Sequence, residues 1–152
     1  MTRLPDWRAR LLSWAESVRG QPLRWGKTDC GSLARNALEI CFGRDVVPHV
    51  PRYHTARQAK KVVKKHGHAV QIVQEIGATF VESLSFARMG DVIAMNEPEE
   101  RVAGIALGVW CEQFVVAATN HGVVWLRRDA LPLDAVAYSL WEIAEDGPWA
   151  KR

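Results

Sequence analysis

The residue best suited to chemistry is Cys30, in the stretch RWGKTDCGSLARNAL that runs from Arg24 to Leu38. A cysteine attacks as its thiolate, and an unperturbed thiol with a pKa near ~8.5 is only a few per cent ionised at neutral pH. A helix N-terminus favours the anion by about 0.3–1 kcal/mol, which is less than one pKa unit. A charged imidazole does more, and it also supplies the proton that a leaving amine needs. Asp29, directly before Cys30, opposes thiolate formation if its side chain points the same way. The second reading is that Cys30 packs. Cysteine outside a disulfide behaves as a small hydrophobe, and Cys30 is in helical phase with Leu33, Ala34, Ala37 and Leu38. The balance of these arguments favours packing over catalysis, and Cys41 and Cys111 read as packing residues on the same grounds.

Five histidines are available as partners. His121, in the turn TNHG, is the best candidate base for Cys30, and it reaches the cysteine only if that turn folds back over the Cys30 helix. His49 and His54 fall in a proline-rich loop that could cover a cleft. His66 and His68 flank Gly67 beside a lysine-rich segment and read as solvated. No C-x-x-C or H-x-x-H cluster is present, so no metal site and no cofactor are expected. Three cysteines cannot all pair within one chain, which argues against a disulfide framework.

Other charged groups read more plainly. Asp91, in GDVIAM, reads as the cap of a tight strand entry that Gly90 permits. Glu97, Glu99 and Glu100 read as a solvated hairpin tip, which lacks the burial that paired catalytic carboxylates need. Arg57, Lys60, Lys61, Lys64 and Lys65 put five cations in nine positions. No aromatic residue interleaves them to stack bases, so docking onto an acidic protein neighbour is favoured over nucleic acid. Seven tryptophans are many for this length, and Trp149, near the end of the chain without periodic partners, is a candidate interface anchor.

The elements that position these residues follow from periodicity. Trp7, Leu11, Trp14, Ala15 and Val18 predict an amphipathic helix that ends near Gly20 and Pro22. Cys30 to Cys41 predicts a second, capped by Thr28 or Asp29 and stopped at Gly43. Thr55 caps a third with Ala56, Ala59 and Val63 on one side, and Ala69, Ile72, Val73 and Ile76 mark a short fourth. Beyond about Gly77, GDVIAM, VAGIALGVW, EQFVVAAT, HGVVWLRR and AVAYSLWEI read as closely spaced strands, hence antiparallel hairpins. Helices first and strands second predict one α+β domain over residues 1–152.

Composition agrees. The chain has 152 residues, 48% of them hydrophobic and 24% charged, enough for one core. A net charge of +3 does not by itself imply a nucleic-acid partner. No apolar run approaches the roughly 18 residues of a membrane span. The segment MTRLPDWRAR has no apolar core of a signal peptide, so synthesis in a cytosol is expected.

Taken in order, WGKTDCGS, GDVIAM and GIALG resemble the motifs of the NlpC-type, papain-like cell-wall peptidases. That family carries its nucleophile in a W-G-x-x-D-C-S segment, then a Gly-Asp strand, then a strand whose leading histidine is the base. The resemblance spans Trp25 to about Leu126. It implies a papain-like fold, with N-terminal helices packed on a C-terminal antiparallel sheet and Cys30 at the nucleophile position. The base position falls on Val102 and the orienting histidine on about Val116. This form is similar to a group of small phage tail-module proteins. The resemblance implies a structural component of a tail tip or baseplate, present in several copies around the tail axis with hub proteins as neighbours and located in the virion. The alternative is an active cysteine amidase or endopeptidase that cuts cell-wall peptide stems, with Cys30 as nucleophile and the Cys30 N–H in the oxyanion hole.

Overall fold

The computed structural model describes residues 1–97, 102 and 104–144. Trp149 and the pair Glu99 and Glu100 lie outside the described residues. Four helices come first: α1 (Trp7–Val18), α2 (Cys30–Phe42), α3 (Ala56–His66) and α4 (Ala69–Glu75). Each predicted helix is present. Gly43 ends α2 at φ 80°, a left-handed conformation that glycine adopts without strain, and its N–H caps the Glu39 carbonyl. Thr55 caps α3 by accepting from the Gln58 N–H at 3.1 Å.

The strands are β1 (Thr79–Val81), β2 (Val92–Asn96), β3 (Ile105–Cys111), β4 (Phe114–Thr119), β5 (Gly122–Arg127) and β6 (Val136–Ser139). Among the described residues they form one sheet in the order β1-β6-β2-β3-β4-β5, with every pairing antiparallel. The architecture is therefore α+β, four helices followed by an antiparallel sheet. Strand β1 is absent from the sequence reading. It is three residues long and only its last residue is even half-buried, so it has no run for a period of two to mark.

The sheet is covered on both faces, which is why its strands read as nearly continuous apolar runs. Val92, Ala94, Leu107, Val109 and Val116 meet Leu11, Leu33 and Leu38 of the helices. On the other face Ile93, Met95, Trp110 and Val115 are buried under Leu84, Leu126 and Leu131. Helix α2 packs along β3 and β4 and against α1. At Gly108 a Cβ would lie 2.3 Å from the Val115 side chain, so β3 carries glycine at its closest approach to β4.

The first residues of the chain are sewn to the last described ones. The Met1 ammonium donates to the Ile143 carbonyl at 2.8 Å, and the Ile143 N–H donates back to Met1 at 2.9 Å. Arg3 lies between the rings of Trp7 and Trp141, 4.3 and 4.1 Å from their centroids. Its guanidinium donates to the carbonyls of Leu140, Met89 and Gly90. Asp91, wholly buried, accepts the Arg88 N–H at 2.8 Å, so it caps the Gly90 turn as its sequence context predicts.

Two histidines differ from expectation. His66 and His68 are half-buried, not solvated. The His66 ring lies 6.3 Å from that of His49, and Nε2 of His66 is buried with no hydrogen-bond partner among the described residues. His68 is an N-cap: Nδ1 accepts the Gln71 N–H while the Gln71 carboxamide accepts the His68 N–H, a reciprocal capping box that starts α4.

Candidate functional site

Helix α2 begins at Cys30, and the residue that starts it is Asp29. Its carboxylate is 3% exposed and accepts from the Ser32 N–H at 3.3 Å, the Gly26 N–H at 2.7 Å and the Tyr53 hydroxyl. Asp29 is thus the cap, and Thr28 holds the preceding turn: its hydroxyl accepts the Arg24 N–H and donates to the Pro22 carbonyl, each at 2.7 Å. The turn has no spare room. Gly26 sits at φ 86°, and a Cβ there would lie 2.0 Å from the Tyr53 carbonyl oxygen. Burial, then the adjoining Asp29 charge, raises the Tyr53 phenol well above its ordinary range. Tyr53 therefore stays a neutral donor to Asp29.

Cys30 itself is half-exposed. Its phase matches the buried stripe of α2, and it packs against the margin of the core while staying half-exposed. Its Sγ faces the Ile105 carbonyl at the start of β3, 4.0 Å away. Cys41 and Cys111 are buried as expected. Burial raises their thiols to about 11 and about 12 respectively. Iodoacetamide at pH 8 is expected to label Cys30 in the folded protein and to reach Cys41 and Cys111 only after denaturation, as read by peptide mapping. Labelling of all three at equal rates would contradict this packing.

Cys30 opens onto a cavity of about 530 Å³ that Trp25, Tyr53, Val102 and Ile105 also line. His121 contributes to the same wall from the two-residue turn between β4 and β5. Its N–H donates to Thr119 Oγ1 at 3.1 Å, while its imidazole is exposed and makes no hydrogen bond among the described residues. The residue that the peptidase pattern would make the base, Val102, shares the cavity with Cys30 and brings no proton acceptor. His54, in the loop before α3, is exposed.

The cavity wall formed by Val46, Val47 and Val50 is held by Arg35 of α2. Arg35 makes a two-pronged ion pair with Asp45, at 2.6 and 3.0 Å, and donates to the carbonyls of Val47 and Val50. Burial alone would raise the Asp45 carboxyl, but hydrogen bonds from Arg35 and the Val47 N–H outweigh it and hold the group below its usual range. This anchor was not read from the sequence, where nine intervening residues separate nothing but a charged pair.

On α3, Lys60, Lys61, Lys64 and Lys65 are all exposed and form no ion pair among the described residues. Val62 and Val63 of the same helix line the cavity. The lysine face is thus the outer surface of a helix whose inner side closes the site. Among the described residues no three-ligand cluster of His, Cys, Asp or Glu is present.

The fold and site define an α+β protein with a cysteine at the start of a buried helix, above an apolar cavity. The chain belongs to the family described as Domain of unknown function (DUF6950), which matches residues 2–134. No curated protein and no solved structure matches the chain. No helix among the described residues is long and apolar enough to cross a membrane.

Proposed function

We propose that this chain is a structural component of a phage tail tip or baseplate, built on a degenerate papain-like, NlpC-type scaffold. The observation that carries the reading is Val102. The position that the peptidase pattern gives to the general base is apolar and lines the same cavity as the cysteine. Without a base at that place, neither activation of the thiol nor protonation of a leaving amine has an agent. The exposed lysines of α3 fit a role in docking, where unpaired surface cations meet acidic neighbours and set registry. The partners in this reading are tail-hub proteins, and several copies surround the tail axis.

A second reading has one observation in its favour. Cys30 is half-exposed at a helix N-terminus instead of being sealed in the core, which suits a nucleophile better than a packing residue. In that case the protein is a cysteine amidase or endopeptidase of cell-wall peptide stems, with His121 moving in as base.

One experiment separates the two. A phage lacking this gene is complemented in trans with the wild-type chain, with Cys30→Ala, or with a charge-reversed α3 carrying Lys60→Glu and Lys64→Glu. The structural role predicts that Cys30→Ala restores tail assembly fully and that the charge-reversed chain restores it at least tenfold less well. Failure of Cys30→Ala, with release of stem peptides by the wild-type protein alone, overturns the structural reading in favour of the enzyme.

A further inference from the structure

Two indoles, one near each end of the described chain, gather three guanidiniums. Trp7 and Trp141 meet edge to face, with ring centroids 5.5 Å apart and planes at 88°. Arg3 fills the corner between them, and its donors are taken by the Leu140, Met89 and Gly90 carbonyls. Arg8 lies over Trp7 with Cζ 4.6 Å from the ring centroid, and Arg88 lies over Trp141 at 4.8 Å. Both are exposed, and neither guanidinium forms a hydrogen bond or an ion pair among the described residues. Both are also close enough to Arg3 to act on it as like charges, while the carboxylate that offsets them, Asp91, is wholly buried. Asp6, beside Trp7, is held by Arg10 at 2.8 Å. Glu142, the exposed carboxylate next to Trp141, pairs with none of the three arginines.

We propose that Arg8 and Arg88, set on the Trp7–Arg3–Trp141 corner, form a docking site for a carboxylate-rich segment of another protein. Arginine stacks on an aromatic ring through its plane, which leaves the N–H donors along its edge for an acceptor. A carboxylate matches that edge with two parallel, charge-assisted hydrogen bonds. The rings order both side chains beforehand, so less rotamer freedom is lost on binding. Repulsion among three gathered cations is relieved when an anion arrives. Arg3 makes no outward contact, because its donors are spent on carbonyls; it holds the rings and adds positive potential. Nucleic acid fits less well. Trp7 is 4% exposed and Trp141 already carries two guanidiniums, so neither ring offers a face on which a base can stack. The site shares no residue with the lysine face of α3, and it stands whether or not the chain is a tail component.

The test is titration of the full chain at low salt, followed by NMR at the Cζ carbons of Arg3, Arg8 and Arg88. The probes are a short peptide alternating glutamate and alanine, its glutamine counterpart, and a thymidine oligonucleotide of matched length. The glutamate peptide is expected to move the Arg8 and Arg88 signals and to leave Arg3 in place, a readout that needs no variant. Its affinity is expected to exceed that of the glutamine peptide by about tenfold and to fall as salt rises. Arg8→Gln is expected to weaken the affinity read at Arg88 by about threefold, and Arg88→Gln that read at Arg8, because one segment engages both. Arg8→Lys, which keeps the charge but not the fork, is expected to act in the same direction. Lys60→Gln with Lys64→Gln is expected to leave both arginine signals responding as before, so the α3 docking role and this site are read separately. Equal responses to the glutamate and glutamine peptides overturn the proposal. So does an oligonucleotide that binds more tightly than the glutamate peptide, or a folded Arg8→Gln whose Arg88 affinity is unchanged.

Discussion

Arg3→Ala is expected to lower the unfolding free energy by about 3 kcal/mol at pH 7, read by urea denaturation. Three kinds of contact vanish together. The guanidinium loses its hydrogen bonds to the Leu140, Met89 and Gly90 carbonyls, and bonds from charged donors contribute about 1.5–3 kcal/mol where they are buried. It loses two ring faces, Trp7 and Trp141, at 4.3 and 4.1 Å, worth roughly 0.5–1 kcal/mol each when partly exposed. It also stops compensating Asp91, which is wholly buried. These terms overlap, so the sum is well below simple addition.

The pH dependence makes the assignment specific. Burial raises the Asp91 carboxyl above its ordinary range, and Arg3 partly offsets that. A carboxyl whose folded pKa is raised binds its proton more tightly when folded. Its contribution to stability is therefore present at low pH and is lost as pH rises through the folded value. Removing Arg3 raises that value further, so the deficit of the variant should be smaller at pH 4 than at pH 8. Other groups cancel in this difference. A deficit that is constant with pH would mean that Arg3 acts through packing alone.

Arg3 also marks where sequence reading stops. The helix α2 was legible because its cap, its stripe and its stop are all local: Asp29, the run from Leu33 to Cys41, and Gly43. The central strands were legible because valine and isoleucine runs alternate with turn residues. Arg3, by contrast, is defined by partners 86 and 137 residues away, and nothing within its own neighbourhood signals them. Strand β1 escaped because an exposed three-residue edge strand has no pattern to read. The position of Cys30 was legible but its exposure was not. Helical phase gives the direction of a side chain around the axis, not how completely the neighbouring elements cover it. The cavity is less legible still, because its walls come from segments far apart in the chain, from Leu23 to Pro132.

The second large effect is expected at the start of α2, where Asp29→Ala should destabilise the fold by about 3 kcal/mol and Tyr53→Phe by about half as much. Asp29 satisfies three donors at once, the N–H groups of Gly26 and Ser32 and the Tyr53 hydroxyl. Loss of an N-cap alone costs about 1 kcal/mol, and each buried donor left unsatisfied adds about 1–3 kcal/mol. Tyr53→Phe removes only one donor and leaves the cap in place, so its effect is smaller. Because both variants break the same hydrogen bond, the double variant should be less destabilised than the sum, by about 1.5 kcal/mol, the lower end of what a hydrogen bond to a charged group contributes.

The consequence reaches the thiol. Tyr53 and Asp29 fix the turn from Gly26 to Cys30, and with it the direction in which Sγ enters the cavity. Asp29→Ala is therefore expected to change the alkylation rate of Cys30 by at least threefold in the folded protein, with Cys41 and Cys111 still protected. Additive energies in the double variant, or an unchanged Cys30 rate, would show that the cap and the thiol are independent. The carboxylate would then be a helix cap and nothing more.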